Sequence, residues 1–328
     1  MVKGAVESRC RVIAALDARA VSDVEMACQL IREARDAGAD GIKIIRRTSA
    51  SPAAEAGRFG APDGAFRAPL HDPQVSIEAF VRLLEGATDV TILVAPYDVD
   101  AARQLMHARF GGWKIDPPML THLPLLEELV RDGRPIVAGV AGCTRTELDE
   151  AAACLPAKSV LVHTLPAQNG ADVLDIAHLV ALRRYGHPIG YADGSADISA
   201  ALIAVALGAS LVEKPFILNH GEGPARDTGL TAPAFRAFVE QVRRLEDVLT
   251  GGGTRDPLPE ELDLIEQDRV SIVASRSIPR GTTLSRDMLA FKAPGSGLSP
   301  RFLPVIEGQR TLYDIPEGAF LTFGVIEL

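Results

Sequence analysis

Residues 188–219 read PIGYADGSADISAALIAVALGASLVEKPFILN, and this stretch has the pattern strand, turn, helix, turn, strand. Apolar Ile189–Ala192 predict a short buried strand after a His-Pro break. Asp197 is placed to cap a helix whose apolar residues recur at helical spacing, and Gly208 is placed to end it. Leu211–Lys214 predict a second strand, which should run parallel to the first because a helix connects them.

The same alternation of strand and helix extends through most of the chain. Eight such units lie between Val12 and Leu249, and this predicts an α/β protein with a closed (β/α)8 TIM barrel. A doubly wound open sheet is the alternative, but no glycine fingerprint follows the first strand, which argues against a dinucleotide-binding fold. In a barrel, Glu213 would lie at the carboxyl end of a strand, where barrel enzymes carry their catalytic groups.

The end of the chain has a different composition. Residues 251–268 are rich in glycine, proline and acidic side chains, and they predict a linker. Beyond it the element Ile-Pro-x-Gly-x-x-Leu occurs at 278–284 and again at 315–321, and each copy predicts a tight turn between strands. We therefore expect a barrel over residues 1–250, then the linker, then a small β-rich domain over residues 269–328.

Composition excludes several classes of protein. The chain is 47% hydrophobic and 23% charged, and its net charge of −9 comes without a basic cluster, so nucleic acid is not an expected partner. No apolar run is long enough to cross a bilayer and the first ten residues lack a signal core, so we expect a cytoplasmic protein without membrane association. The four cysteines show neither zinc nor redox-motif spacing: Cys10, Cys28, Cys143 and Cys154.

Three short motifs carry a family resemblance. Gly190–Ser195 read GYADGS, Ala206–Ala209 read ALGA and Glu213–Phe216 read EKPF. They resemble the GYSDHT and ALGAxxxEKHF patterns of the sialic acid (N-acetylneuraminate) synthase family, and the tail resembles the antifreeze-like SAF domain that ends those enzymes. The resemblance implies a barrel followed by a SAF domain, a domain-swapped homodimer, and metal-assisted condensation of phosphoenolpyruvate with an aldehyde sugar.

Several residues that this family uses are replaced here. The two metal-binding histidines of the family fall on Gly194 and Pro215, which cannot bind a metal, so the divalent metal is expected to be lost and no cofactor is expected. A glutamate of the first strand falls on Ala15, and a tail-domain arginine that reaches the sugar falls on Ala293. The phosphate-binding hydroxyls fall on Ala95, Pro117 and Ala192.

Charged residues nevertheless remain at other barrel positions. The resemblance implies that two lysines act on the phosphoenolpyruvate, and strand alternation puts Asp116 on the lysine-bearing face of its strand and Lys214 on the outside of the barrel. The predicted catalytic set is Lys43, Lys114, Glu213, Asp17 and Asp116. The predicted substrate-binding set is Arg46, Arg47, His163, Tyr191 and Asp193. A salt-bridged barrel floor without catalysis is the alternative reading of the lysines and carboxylates.

Three functions remain open from the sequence. The first is an aldol-type enzyme of sugar or keto-acid biosynthesis that forms carbon–carbon bonds without a metal, with an altered substrate and with phosphoenolpyruvate as one candidate donor. The second is a Schiff-base aldolase or lyase, in which Lys43 or Lys114 would be the nucleophile. The third is a non-catalytic relative that binds a ligand. All three predict a small anionic or sugar-like partner.

Overall fold

The computed structural model describes residues 9–16, 23–48, 75–165, 176–219, 228–249 and 257–327. The chain divides into two compact units, Met1–Gly252 and Gly253–Leu328. Within the described ranges, every helix is too short or too polar to span a membrane.

Eight parallel strands close into a barrel in the first unit. The strands pair in chain order, and β1 pairs with both β2 and β8, which closes the sheet and confirms the predicted TIM barrel. They are β1 (Arg11–Leu16), β2 (Gly41–Arg46), β3 (Thr91–Pro96), β4 (Gly112–Ile115), β5 (Ile136–Gly139), β6 (Val160–Leu165), β7 (Ile189–Asp193) and β8 (Leu211–Phe216).

Helices alternate with these strands and begin at local caps. Asp98 caps the third helix by accepting the Ala101 N–H at 2.6 Å, and Thr144 with Glu147 forms a capping box on the fifth. The caps start the helices close to the carboxyl ends of the strands. The helices are α1 (Val24–Asp36), α2 (Ile77–Gly86), α3 (Val99–Leu105), α4 (Leu123–Asp132), α5 (Arg145–Cys154), α6 (Ala177–Ala181), α7 (Ser199–Ala206) and α8 (Ala232–Leu249).

Residues 188–219 form β7, α7 and β8, as their pattern predicts. Gly208 has a φ of +84°, the left-handed conformation that ends a helix and that glycine adopts without strain. The helix start differs slightly from the prediction, because Ile198 occupies the cap position. Asp197 still stabilises this end, since its Oδ1 accepts the Ser199 N–H at 2.7 Å.

The barrel has an outer and an inner core. The outer core packs one face of the strands against the helices. Inside the barrel, small and large residues alternate: a Cβ added to Gly41 would lie 2.8 Å from Ile13 Cδ1. One layer of the inner core is a cluster of apolar side chains, namely Ile13, Leu93, Val137, Val162, Ala192 and Leu211. We call this layer the apolar floor.

The second unit contains a small antiparallel sheet with its own core. Strands β9 (Ser271–Ala274) and β10 (Leu289–Lys292) pair, and the repeated turns place Gly281 and Gly318 at positive φ. This unit confirms the predicted small β-rich domain. Within the range predicted as a linker, α9 (Pro259–Asp268) is helical and its Glu266 carbonyl accepts the Gly295 N–H at 2.7 Å, inside the second unit.

Candidate active site

Four charged side chains from three strands meet in the barrel lumen. Lys43 Nζ on β2 lies 2.9 Å from Asp116 Oδ2, just after β4, and 3.9 Å from Glu213 Oε1 on β8. Lys114 Nζ on β4 lies 3.4 Å from Glu213 Oε2. We call these four residues the lumen cluster. The structure thus brings together four of the five predicted catalytic residues, and the fifth, Asp17, lies outside the described residues.

The lumen cluster is buried and its charges balance. Two ammonium groups face two carboxylates, and Lys114 is only 1% exposed. Burial opposes the charged form of Lys43, but the carboxylates of Asp116 and Glu213 outweigh it and raise the pKa of Lys43 above its ordinary value. Burial also opposes the charged form of Asp116, yet the two lysines hold the pKa of Asp116 below its ordinary value. Lys43 is therefore an ammonium group at neutral pH.

Tyr97 and Arg47 extend the lumen cluster toward the end of β3. The Tyr97 hydroxyl donates a hydrogen bond of 2.9 Å to Asp116 Oδ2, the same oxygen that pairs with Lys43. The guanidinium carbon of Arg47 lies 4.3 Å from the centre of the Tyr97 ring. Burial and the Asp116 carboxylate raise the pKa of Tyr97 to about 12. Tyr97 is absent from the predicted site residues. Its position at the carboxyl end of a barrel strand, where barrel enzymes carry their catalytic groups, could have indicated it.

Arg46 and Arg47 both belong to the predicted substrate-binding set, but they have different surroundings. Arg46 is buried, with its guanidinium carbon 5.1 Å from the centre of the Phe80 ring on α2. Its Nη1 also donates to the Val75 carbonyl at 2.8 Å. Arg47 instead contacts Tyr97. The structure therefore places Arg47 beside the lumen cluster, and Arg46 between the barrel and α2.

Three of the predicted substrate-binding residues do not face the lumen. Alternation on β6 and β7 puts His163 and Tyr191 on the outer face, because their neighbours Val162 and Ala192 belong to the apolar floor. The His163 ring stacks on His178 with centroids 5.4 Å apart, and lies 6.1 Å from the Tyr191 ring. The third residue, Asp193, shares the outer face of β7. Their outward placement gives no support to a role in substrate binding, which stays a prediction from the family resemblance.

Asp193 pairs with Lys214, which points out of the lumen as predicted. Lys214 is 0% exposed, and its Nζ lies 3.0 Å from Asp193 Oδ2. The same ammonium donates to the backbone carbonyls of Ser195, at 2.6 Å, and Asp197. The acceptors are the last residue of β7 and two residues of the segment that joins β7 to α7. Lys214 therefore fixes the backbone at the carboxyl end of β7.

The residues present do not fit the divalent metal that the family resemblance implies. Gly194 and Pro215 stand where the family has histidines, and neither has a donor side chain. In the part of the chain that the structure describes, no group of three His, Cys, Asp or Glu residues is arranged to hold a metal ion. The nearby carboxylates of Asp116 and Glu213 already pair with ammonium groups.

The fold and the lumen cluster together define a class of protein. A closed (β/α)8 barrel with charged side chains at the carboxyl ends of its strands is the architecture of barrel enzymes, and a separate β-rich unit follows it here. Comparison with protein-family models then gives the family. Residues 30–254 match the NeuB family and residues 269–327 match the SAF domain. The chain belongs to the NeuB family.

Individual relatives match this chain over most of its length. An uncharacterized protein of Methanocaldococcus jannaschii is 29% identical over 90% of this chain and 88% of its own length. The N,N'-diacetyllegionaminic acid synthase of Legionella pneumophila is 25% identical over 97% of this chain and 95% of its own. Among solved structures, a spore coat polysaccharide biosynthesis protein E of Chromobacterium violaceum has a TM-score of 0.81 at 20% identity, over 98% of this chain and 100% of its own.

Proposed function

We propose that this protein is an aldol-type enzyme of sugar or keto-acid biosynthesis. It would join a small carboxylate donor to a sugar-like aldehyde in the barrel lumen, without a divalent metal. Family membership supports the reaction class, because the Legionella relative is named as a sugar-acid synthase. The replaced metal positions, Gly194 and Pro215, support the loss of the metal and a change of substrate.

The position of Glu213 between two ammonium groups is the observation that carries this proposal. Its carboxylate lies 3.9 Å from Lys43 Nζ and 3.4 Å from Lys114 Nζ. Charge-assisted N–H···O bonds are about 2.7–2.9 Å long, so neither lysine is tightly bound to Glu213. Moreover, Glu213 Oε2 is buried without a hydrogen-bond partner. Each ammonium group therefore keeps N–H donors for the carboxylate of a donor substrate, while Glu213 Oε2 keeps an acceptor for a hydroxyl group of the substrate.

An aldol-type condensation can use ammonium groups that hold the carboxylate of the donor. The nucleophilic carbon of an enolic donor forms a bond to the carbonyl carbon of the aldehyde, and the carbonyl π electrons move to oxygen, which takes up a proton. With phosphoenolpyruvate as donor, water adds at C2, the C2–O bond to phosphate breaks, and inorganic phosphate leaves a keto group behind. Lys43 and Lys114 hold the donor carboxylate throughout by charge and hydrogen bonding.

The charge state of Lys43 favours anchoring over Schiff-base chemistry. Imine formation needs an unprotonated amine. The carboxylates of Asp116 and Glu213 instead raise the pKa of Lys43 above its ordinary value. Lys43 is therefore the anchor in this proposal. A non-catalytic ligand-binding role remains as one outcome of the assay below.

A product assay in EDTA tests the proposal. The protein is incubated with phosphoenolpyruvate or pyruvate and a panel of sugar aldehydes, and products are identified by mass spectrometry alongside phosphate release. We expect a carbon–carbon bonded product that persists in EDTA and is lost in Lys43→Ala, with the exposed Lys158→Ala as matched control. A product that disappears in EDTA contradicts metal independence. A borohydride-trapped adduct on Lys43 or Lys114 establishes the Schiff base instead, and anion binding without any product supports the ligand-binding relative.

The assembly is a further part of the proposal. The family resemblance implies a homodimer in which the SAF domain of one subunit covers the barrel mouth of the other. We expect a dimer mass by light scattering at micromolar protein concentration. A monomer mass at that concentration refutes the dimer.

A further inference from the structure

Tyr97 is the residue of this site that neither the motifs nor the family resemblance single out. It is 8% exposed, and its hydroxyl is joined through Asp116 Oδ2 to the lumen cluster. We propose that Tyr97 is the proton donor to the carbonyl oxygen of the acceptor aldehyde. This role rests on the proposed function, since it concerns the same condensation.

The reaction requires such a donor. When the new carbon–carbon bond forms, the carbonyl oxygen of the acceptor gains negative charge, which a metal, a hydrogen-bond donor or an acid must stabilise. Gly194 and Pro215 cannot hold the metal that would do this. Lys43 and Lys114 are assigned to the donor carboxylate. Among the described residues, the hydroxyl of Tyr97 is a neutral donor next to the lumen cluster that can reach the acceptor oxygen.

The surroundings of Tyr97 suit a neutral acid. Burial and the Asp116 carboxylate raise the pKa of Tyr97 to about 12, so the phenol keeps its proton at neutral pH. An alkoxide is a stronger base than a phenolate, so the proton moves toward the new alcohol. The guanidinium of Arg47, 4.3 Å from the ring centre, holds the ring and adds positive charge near the phenolate that forms.

The proton balance closes with solvent as the final proton source. The phenolic proton turns from Asp116 to the acceptor oxygen and is transferred as the carbon–carbon bond forms. Lys43 keeps its ammonium charge next to Asp116 Oδ2 and stabilises the negative charge of the phenolate through that contact. Solvent returns a proton to the Tyr97 phenolate after the product leaves. No oxidant, reductant or further reactant is needed.

The decisive variant is Tyr97→Phe, which removes the hydroxyl and keeps the ring under Arg47. We expect turnover to fall about 100- to 10,000-fold, the usual effect of removing a general acid, while the dissociation constant for the donor changes less than about twofold. The matched control is Tyr185→Phe, because the Tyr185 hydroxyl hydrogen-bonds Asp149 in an exposed position. This control should turn over at the wild-type rate.

A second measurement separates proton donation from a merely structural effect. Infrared spectra of a carbonyl-13C-labelled acceptor bound to the wild-type protein should show a lowered carbonyl stretching frequency, and Tyr97→Phe should lose that shift. Turnover of Tyr97→Phe within twofold of wild type, or an identical carbonyl frequency in both proteins, overturns the role of Tyr97 and leaves the proposed function standing. A wild-type protein that forms no product with any pair of substrates overturns the proposed function, and this role with it.

Discussion

Replacing Lys114 by methionine is expected to weaken binding of pyruvate or phosphoenolpyruvate by about 30-fold to several thousand-fold. Truncating one partner of a buried charge pair costs about 2–5 kcal/mol, and each 1.4 kcal/mol changes a dissociation constant tenfold. Lys114 is 1% exposed, so no water replaces the lost ammonium group, and Glu213 would face the incoming anion with one cation fewer. Methionine fills the space of the lysine stem. Isothermal titration calorimetry measures the affinity.

Two further variants distinguish a loss of anion binding from a loss of folding stability. The double variant Lys114→Met/Glu213→Gln removes one charge of each sign, so we expect it to regain stability lost in the single variant but not its affinity for the anion. Lys158→Met removes an exposed lysine from the same unit and should bind as the wild type does. If Lys114→Met binds both anions with wild-type affinity, the lysines do not form the donor site.

Replacing Asp193 by alanine is expected to lower the free energy of unfolding of the barrel by about 3–5 kcal/mol. This is the usual cost of leaving one member of a buried ion pair behind, and Lys214 is 0% exposed. In this variant Lys214 still donates hydrogen bonds to the backbone carbonyls of Ser195 and Asp197, but these carbonyls carry no charge to balance the ammonium group. Urea denaturation followed by the fluorescence of Trp113 measures the change, because this residue is the single tryptophan of the chain and is buried in the barrel.

The pH dependence of this variant gives a separate check. Burial outweighs the attraction of Asp193 and lowers the pKa of Lys214, so the folded state binds this proton less tightly than the unfolded state does. A lowered lysine pKa means that stability rises as the pH increases toward the unfolded value of about 10.4. Without the carboxylate of Asp193 the pKa of Lys214 falls further, so the rise should begin at a lower pH and be larger in total than in the wild type.

The controls for Asp193 again come from the same unit. Asp149→Ala removes an exposed carboxylate and should change the free energy of unfolding by less than about 1 kcal/mol. The double variant Asp193→Ala/Lys214→Met removes both charges and should recover part of the lost stability. An unchanged urea midpoint for Asp193→Ala would show that Lys214 does not depend on this carboxylate.

Much of the site was predictable because side chains alternate along a strand. Alternation puts Lys114 and Asp116 on one face of a strand, and Glu213 and Lys214 on opposite faces, and the structure agrees with both placements. The same rule places His163, which the prediction put in the substrate-binding set, on the outside of the barrel. Its strand neighbour Val162 lies in the apolar floor, so His163 must face outward.

The barrel, the separate β-rich domain and the lysines and carboxylates available to the lumen were predictable from the sequence alone, because apolar periodicity and helix caps are local signals. Which of these charges meet follows from the tertiary structure. Asp116 Oδ2 accepts from Tyr97 and pairs with Lys43, three residues that follow or belong to three different strands. Such contacts depend on the register and closure of the whole barrel, and no local pattern encodes them. The charge of Lys43 and the proton on Tyr97 follow from those contacts, because neighbouring charges and burial set each pKa.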